Sequence, residues 1–236
     1  MDKREKVELF FDFIHRFAFH YVFWFLEVKS QLGEKKALEC LDEVYKKSSS
    51  IFIDRLSKTL DFELDGGFPA PLLNLDNGKL DDLLKSISIN WLANDGVWFQ
   101  SVEFKRNMID AKRCNDTCWA QFSPMEAYFV KRFLNLEDNC GLPGLEKALK
   151  YRLYSFINKQ TVKWDGKSLI LEMNDCRVQS ARKRKNLEEY PCKSGGWAEF
   201  SRFAESIDSH IKTEIIACPP DKHPEEFFCA WKFFVV

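Results

Sequence analysis

An aromatic helix predicted at residues 9–31 restricts the folds open to this 236-residue chain. Its apolar residues are spread around much of the helix circumference: they are Phe10, Phe13, Ile14, Phe17, Tyr21, Trp24 and Phe25. A helix of this kind needs cover on nearly every side. It therefore lies either at the centre of its own domain or against a second copy across a dimer interface, where aromatic residues are enriched.

The same segment has neither the sequence of a membrane span nor that of a signal peptide. Asp12, His15, Arg16 and His20 interrupt its apolar residues, whereas a span needs about 20 mostly uncharged residues and a signal peptide an unbroken apolar core. We therefore expect a cytoplasmic protein whose 8 cysteines are reduced thiols or metal ligands. The 35 Lys and Arg balance 36 Asp and Glu, which predicts no nucleic-acid partner and no membrane association.

Helical patterns dominate the first part of the chain. Gly33 ends the aromatic helix, and further helices are predicted at residues 34–47, 51–60 and 80–92, with an irregular connection at 65–78. After Asp95 and Gly96 the apolar residues follow a period of two, which predicts a strand at 98–104 with Trp98 and Phe104 on one side. Residues 108–113 are the predicted partner strand.

The second part has the clearest hairpin. Predicted strands at 161–164 and 167–173 flank Asp165 and Gly166, a two-residue loop suited to a type I′ turn. Helices are predicted at 124–135, 145–156 and 194–207, and strands at 211–217 and 227–235. We expect one α+β domain over residues 1–236, in which N-terminal helices pack with a predominantly antiparallel sheet. Residues 1–95 form its mainly helical part, and 96–236 its sheet-containing part.

Four cysteines in the last 61 residues each lie where a predicted element begins, ends or runs beside an edge. Cys176 closes the hairpin, Cys192 begins a helix, Cys218 ends a strand and Cys229 lies in the last strand. Because Zn²⁺ binds four sulfur ligands tetrahedrally at about 2.3 Å, these positions are compatible with a zinc site. No CxxC pair occurs, so four buried thiols and an iron–sulfur cluster stay open as alternatives.

The order of motifs after residue 160 resembles the C-terminal signature of the 4-vinyl reductase (V4R) domain. The motifs are Cys192, the Gly195-Gly196 pair, an amphipathic helix, a strand ending in Cys218 and the terminal Phe-Cys-Ala-Trp-Lys-Phe at 228–233. That family belongs with the TRAPP-like small-molecule-binding fold, and similar sensor domains of bacterial activators hold zinc beside an aromatic-lined pocket. The resemblance implies a V4R/TRAPP-like fold, a bound small molecule and a homodimer through the N-terminal helix.

A second resemblance covers most of the chain. The runs Tyr-Val-Phe-Trp at 21–24, Cys-Arg-Val-Gln-Ser-Ala-Arg at 176–182 and Cys-Pro-Pro-Asp at 218–221 are similar to an uncharacterised bacterial family related to the 2-aminothiazoline-4-carboxylate hydrolases. This resemblance implies an alternative function, hydrolysis of a small heterocyclic or amide-like substrate. Whether the protein is an enzyme stays open.

The V4R resemblance also implies a set of metal ligands. Cys192, Cys218 and Cys229 fall on cysteine positions of that family, and Cys176 takes the fourth place. His223, in an insert between the last two cysteines, is the substitute ligand. With the resemblance added, we expect zinc ahead of an iron–sulfur cluster.

Six aromatic residues are candidates for a ligand pocket, although core packing is an alternative for each. They are Trp91, Trp98, Phe99, Trp119, Phe122 and Trp164. We expect a small aromatic or heteroaromatic ligand, on which a carboxylate is tolerated if an arginine such as Arg177 points inward. Cys118 is the candidate nucleophile of the hydrolase alternative, with no histidine partner assignable from sequence.

Overall fold

The computed structural model describes all 236 residues, which divide into two compact units. Unit 1 is Met1–Asp76 and unit 2 is Asn77–Val236. The single domain expected from sequence has its internal boundary later, at residues 95 and 96. The division falls earlier because the helix that crosses residue 95, Asn77–Lys105, lies wholly within unit 2.

Unit 1 consists mainly of two long helices. Its elements are α1 (Lys3–Leu32), α2 (Glu34–Leu60), β1 (Leu64–Asp65), β2 (Phe68–Pro69) and α3 (Ala70–Leu73). A capping box starts α1, because Asp2 accepts a hydrogen bond from the Glu5 backbone N–H and Glu5 accepts one from that of Asp2. Gly33, whose φ is 88°, separates the two helices.

The predicted aromatic helix is present, and no residue of α1 is buried. Phe17 is 60% exposed and Trp24 is 63% exposed. The helices predicted at 34–47 and 51–60 are a single helix, α2, because the serines between them do not break it. Ser48 instead donates its hydroxyl to the Val44 carbonyl. No helix combines the length and apolar character that a membrane span requires.

Unit 2 combines helices with a four-stranded sheet. Its elements are α4 (Asn77–Lys105), α5 (Met108–Leu134), α6 (Gly141–Leu149), a 3₁₀ turn (Leu153–Phe156), β3 (Lys159–Asp165), β4 (Ser168–Asp175), α7 (Arg177–Arg184), α8 (Lys193–Ile207), β5 (Ile211–Ala217) and β6 (Cys229–Val235). All neighbouring strands are antiparallel in the order β3-β4-β6-β5. The α+β class, with N-terminal helices and an antiparallel sheet, is confirmed.

The strand predicted at 98–104 and its partner at 108–113 are wrong. Residues 98–104 lie in α4, and 108–113 form the first turns of α5. Asp95 and Phe99 are one helical turn apart on the same face, so a helical spacing was present beneath the apparent alternation. Asn107 is the N-cap of α5, and its side chain accepts a 2.8 Å hydrogen bond from the Asp110 backbone.

Two predicted helices have different bounds. The helix at 124–135 is the C-terminal part of α5, so Pro124 lies inside a helix rather than at its start. The helix at 145–156 is α6 followed by the 3₁₀ turn. The break between them is fixed by Glu126, which accepts from the Leu153 backbone N–H at 3.0 Å and pairs with Arg152.

The predicted hairpin is present, but its turn is displaced by one residue. Asp165 pairs with Ser168, so Gly166 and Lys167 form the loop. Only Gly166 has positive φ, 57°. A type I′ turn needs positive φ at both loop residues, whereas a type II′ turn needs it at the first alone. The loop therefore does not meet the requirement of the type I′ turn predicted from sequence.

The main core lies where α5, α6 and α8 pack against the sheet. Its largest fully buried side chains include Trp231 and Phe233 of β6, Leu169 of β4, Phe203 of α8 and Leu145 of α6. A second, smaller cluster of aromatic residues joins α4, α5 and the 3₁₀ turn. Both clusters are walls of the cavity described next.

Candidate ligand cavity and cysteine cluster

Unit 2 contains a cavity of about 360 Å³ that α4, α5, α7, α8 and the sheet line. Its apolar wall includes Leu92, Phe99, Trp119, Tyr154 and Trp231. Small-molecule sites are typically mostly apolar clefts of about 300–1,000 Å³ with a few polar groups that fix the ligand's orientation. The cavity is therefore large enough for a small organic molecule.

Four of the six predicted pocket aromatics lie at or behind this wall. Phe99 and Trp119 line the cavity. Trp91 packs behind them, with its ring centroid 4.9 Å from that of Tyr154 and 5.8 Å from that of Trp119. Phe122 lies 5.7 Å from Trp119. Trp91 and Phe122 therefore support the lining rings from behind and do not line the cavity themselves.

Trp98 and Trp164 lie away from the cavity. Trp98 is 60% exposed on α4 and lies about 100° around the helix from the buried Phe99. Trp164 is 47% exposed on β3, and its indole N–H donates to Glu146 at 3.0 Å. Both belong to the surface of unit 2.

All four predicted ligand cysteines line the cavity. Cys176 follows β4 directly and is the N-cap of α7, while Cys192 is the N-cap of α8. Cys218 follows β5, and Cys229 is the first residue of β6. The ends of four elements therefore converge, and we call these four residues the cysteine cluster.

The thiols of the cysteine cluster are close enough to affect one another's pKa values. Cys218 is fully buried, and hydrogen bonds with the side chains of Cys192 and Cys229, together with its burial, raise the pKa of its thiol. Burial and the same two neighbours raise the pKa of Cys176. In a cluster without metal, both thiols therefore keep their protons at neutral pH.

Two N–H groups point at sulfur atoms of the cluster. Gln179 Nε2 donates to Cys192 Sγ at 3.2 Å, and Trp231 Nε1 donates to Cys229 Sγ at 3.3 Å. Gln179 also bonds to both backbone polar groups of Tyr190, at 2.8 and 3.0 Å. It therefore fixes the segment that leads into Cys192. Both sulfurs accept these hydrogen bonds, and Cys192 Sγ also donates one to the Tyr190 carbonyl at 3.3 Å.

The Gly195-Gly196 pair allows α8 to approach the cluster closely. A Cβ at Gly196 would lie 2.7 Å from a ring carbon of Trp231, and one at Gly195 would lie 3.0 Å from Asp116. Real side chains do not tolerate contacts as short as the first. The first turn of α8, and with it Cys192, can therefore reach β6 only without a side chain at residue 196.

The donor set suits a soft metal ion in its chemistry, because four thiols face one cavity and two of them already accept hydrogen bonds. No group of three or more His, Cys, Asp or Glu side chains has the arrangement of a metal site, however. His223 is not part of the cavity wall, and its Nδ1 lies 2.8 Å from the Pro224 carbonyl.

Asp95 is a carboxylate in the cavity wall without a cationic partner. It accepts one long hydrogen bond, 3.4 Å from Asn115 Nδ2, and burial raises its pKa to about 6. Asn115 is bonded in turn to the Tyr190 hydroxyl, which also accepts from Lys112 Nζ at 3.1 Å. The sequence pattern predicts a turn at Asp95, although its spacing of four from Phe99 also fits a helix.

A buried charge triad lies beside the cavity. Arg152 Nε donates to Glu126 at 2.9 Å, and Arg152 Nη2 lies 2.7 Å from a carboxylate oxygen of Glu199. All three side chains are buried, and Glu199 lines the cavity. Burial raises the pKa of Glu199 to about 7, although Arg152 acts to lower it. The triad joins α5, the segment before the 3₁₀ turn and α8.

Two arginines of α7 differ in their surroundings. Arg182 is buried, forms a two-pronged ion pair with Glu103 at 2.8 and 3.0 Å, and donates to the Glu188 carbonyl at 2.6 Å. It therefore joins α7 to α4. Arg177 lines the cavity, and its side chain forms no ion pair. Its guanidinium is available to a ligand.

Cys118 is not part of the cavity wall, and neither is any histidine. Its thiol is on α5, where burial and the charge of Asp95 raise its pKa. A raised pKa lowers the fraction of reactive thiolate. The geometry therefore does not favour Cys118 as a nucleophile.

The sequence matches the family of unknown function DUF6125 over residues 73–235. Every residue of the cavity wall falls within this match. No curated protein and no solved structure matches the chain.

Proposed function

The chain belongs to the DUF6125 family of unknown function, and we propose that it is a cytoplasmic small-molecule-binding protein of V4R/TRAPP-like fold. The ligand occupies the cavity of unit 2, and a structural zinc ion binds to the cysteine cluster. One observation carries the proposal: a cavity of about 360 Å³ combines an aromatic wall with four convergent thiols and a few isolated charges. This is the usual composition of a specific small-molecule site.

Aromatic stacking favours a small aromatic or heteroaromatic ligand. Phe99, Trp119 and Tyr154 present ring surfaces to the cavity, and flat ligands gain from edge and face contacts with such rings. Arg177 would allow the ligand to carry a carboxylate as well, since a guanidinium without an ion pair can bind a carboxylate through two hydrogen bonds.

The thiol contacts within the cysteine cluster support zinc. Zinc binding would deprotonate thiols whose pKa values are raised, and the metal would then offset the charge that burial penalises. The N–H donors of Gln179 and Trp231 would stabilise the remaining negative charge. An iron–sulfur cluster is the alternative cofactor for the same donors.

Exposure of α1 supports a homodimer through the N-terminal helix. Phe10, Phe13 and Phe17 are each more than half exposed on a helix that has no buried residue. Apolar surface of this extent on a soluble chain usually marks an interface. All 8 cysteines are free, which supports a reducing compartment such as the cytoplasm.

Filling the cavity tests the ligand-binding proposal. Gly96 lines the cavity, and a Cβ there would meet no atom within 4 Å, so a larger side chain is accommodated without a clash. A thermal-shift screen of small aromatic compounds should give hits with the wild type and with Gly96→Ala. The same hits should be lost in Gly96→Leu, whose side chain occupies ligand volume. Hits that persist unchanged in Gly96→Leu would place ligand binding elsewhere.

A further inference from the structure

We propose that the cavity selects a ligand with a positively charged group, such as an amine, amidine or protonated heterocycle, and that the Asp95 carboxylate binds this group. The proposal rests on the proposed function, because it names the ligand class of the same cavity. It adds a charge requirement that an aromatic wall alone does not impose.

Asp95 lacks a counter-ion within the protein. Its one hydrogen bond comes from the neutral amide of Asn115 at 3.4 Å, which is long for an N–H···O bond. Charged groups in protein interiors are normally paired, because desolvation without a partner is costly. A carboxylate that faces a cavity without a cation therefore leaves that role to a ligand.

Several cations near Asp95 form ion pairs with other carboxylates. The ion pairs are Lys112 with Asp116, Arg152 with Glu126 and Glu199, and Arg182 with Glu103. Arg177, Arg184 and Lys185 also line the wall without an ion pair, and none of them bonds to Asp95. The protein therefore supplies no internal neutralisation for Asp95.

Asp95 lies among the aromatic residues of the cavity wall. Asp95 and Phe99 are four residues apart on α4, and Asn115 and Trp119 are four residues apart on α5, so each helix presents a polar and an aromatic group on one face. All four residues line the cavity. A cation held by the carboxylate would therefore lie next to ring faces, which attract positive charge.

Three probes of nearly equal size and shape distinguish selection for the ligand's charge from selection for its shape. Benzamidine is cationic, benzamide is neutral and benzoate is anionic. Their dissociation constants can be measured at pH 7.5 by ligand-observed NMR with the full-length protein and two variants. Asp95→Asn removes the charge and keeps the shape, and Asp81→Asn removes an exposed carboxylate from the same helix as the matched control.

We expect benzamidine to bind the wild type and Asp81→Asn more tightly than benzamide or benzoate. Asp95→Asn should weaken benzamidine about 10- to 100-fold, the loss expected for one charge-assisted hydrogen bond, and leave benzamide unchanged. Loss of benzamidine binding in the Gly96→Leu variant would locate the probe in the cavity.

Two outcomes would overturn the inference and differ in their meaning. If benzamide or benzoate binds as tightly as benzamidine, or Asp95→Asn has no effect on benzamidine, the cavity binds small molecules without selecting a cation. If none of the probes binds at millimolar concentration and the compound screen also gives no cavity-dependent hit, the proposed function fails and the charge requirement fails with it.

Discussion

The Arg152 guanidinium lies 2.7 Å from a carboxylate oxygen of Glu199, and both side chains are buried. Glu126 occupies the other side of the same guanidinium. Replacing Arg152 with Met would leave two buried carboxylates without their cation. We expect the free energy of unfolding to fall by about 3–5 kcal/mol, measured by urea denaturation at pH 7.5.

Arg202→Met is the matched control for this prediction, because Arg202 pairs with Glu205 at 3.8 Å on the exposed face of α8. Its effect should stay below about 1 kcal/mol. Equal losses in the two variants would mean that the buried triad contributes no more than an exposed ion pair.

Asp95→Asn should stabilise the protein above pH 6. The folded pKa of Asp95, about 6, is higher than its ordinary value of 3.8, so the folded state binds the proton more tightly and loses stability as pH rises through this interval. The shift corresponds to at most about 3 kcal/mol. Urea denaturation should therefore give equal stabilities near pH 4 and a gain for the variant at pH 7.5.

Benzamidine affinity should have the opposite pH dependence. It should fall as the pH drops through 6, because protonation removes the negative charge of Asp95, and this part of the fall should be absent from Asp95→Asn. The pKa values of Cys118, Tyr154 and Tyr190 are all raised, so these groups stay neutral throughout, and Glu199 titrates at about 7. A pH-independent dissociation constant between 5 and 8 would exclude Asp95 as the binding group.

Gly96→Ala should stabilise unit 2 by up to about 1 kcal/mol, since it replaces a poor helix former in the interior of α4 and its Cβ meets open space. Gly196→Ala is the contrasting variant. Its Cβ would clash with Trp231, so the free energy of unfolding should fall. If both substitutions changed the free energy of unfolding in the same direction, the close approach of α8 to β6 would be contradicted.

Cys218→Ser should remove the metal and lower the free energy of unfolding by more than about 3 kcal/mol, because zinc binding is coupled to folding. We expect about one zinc ion per chain by elemental analysis of protein purified without chelator. Cys114→Ser, at an exposed position on α5, should keep both metal and stability. Protein without metal would contradict the zinc proposal, and brown protein with iron and sulfide would favour the cluster.

Phe17→Asp should convert the proposed dimer into a monomer, because it places a charge within the apolar surface of α1. Light scattering measures the change in mass. Phe52→Asp, on α2 and 57% exposed, is the matched control and should leave the dimer intact. A wild-type monomer at all concentrations would contradict the interface.

The sequence was informative where local chemistry decides structure. The strands around Gly166, the α8 helix and the strand 211–217 follow from periodicity and turn residues, and the positions of the four cysteines at element ends follow from those elements. The strand predicted at 98–104 failed because aromatic residues at alternate positions also fit a helix whose outer face is exposed.

The buried charges were missed for another reason. Asp95, Arg152 and Glu199 come from three elements that are distant in sequence, and a charged residue in isolation predicts an exposed position. Their partners are known only after α4, α5 and α8 have packed. The helical spacing from Asp95 to Phe99 was the one local signal for the polar side of the cavity.

The proposed homodimer through α1 would make the stability of unit 1 depend on protein concentration. A helix with no buried residue gains stability from association, and that gain grows with the number of chains in solution. The thermal midpoint of unit 1 should therefore rise with protein concentration, while the midpoint of unit 2, which has its own core, should not. Dilution would then unfold the first 76 residues at temperatures where the cavity is still intact.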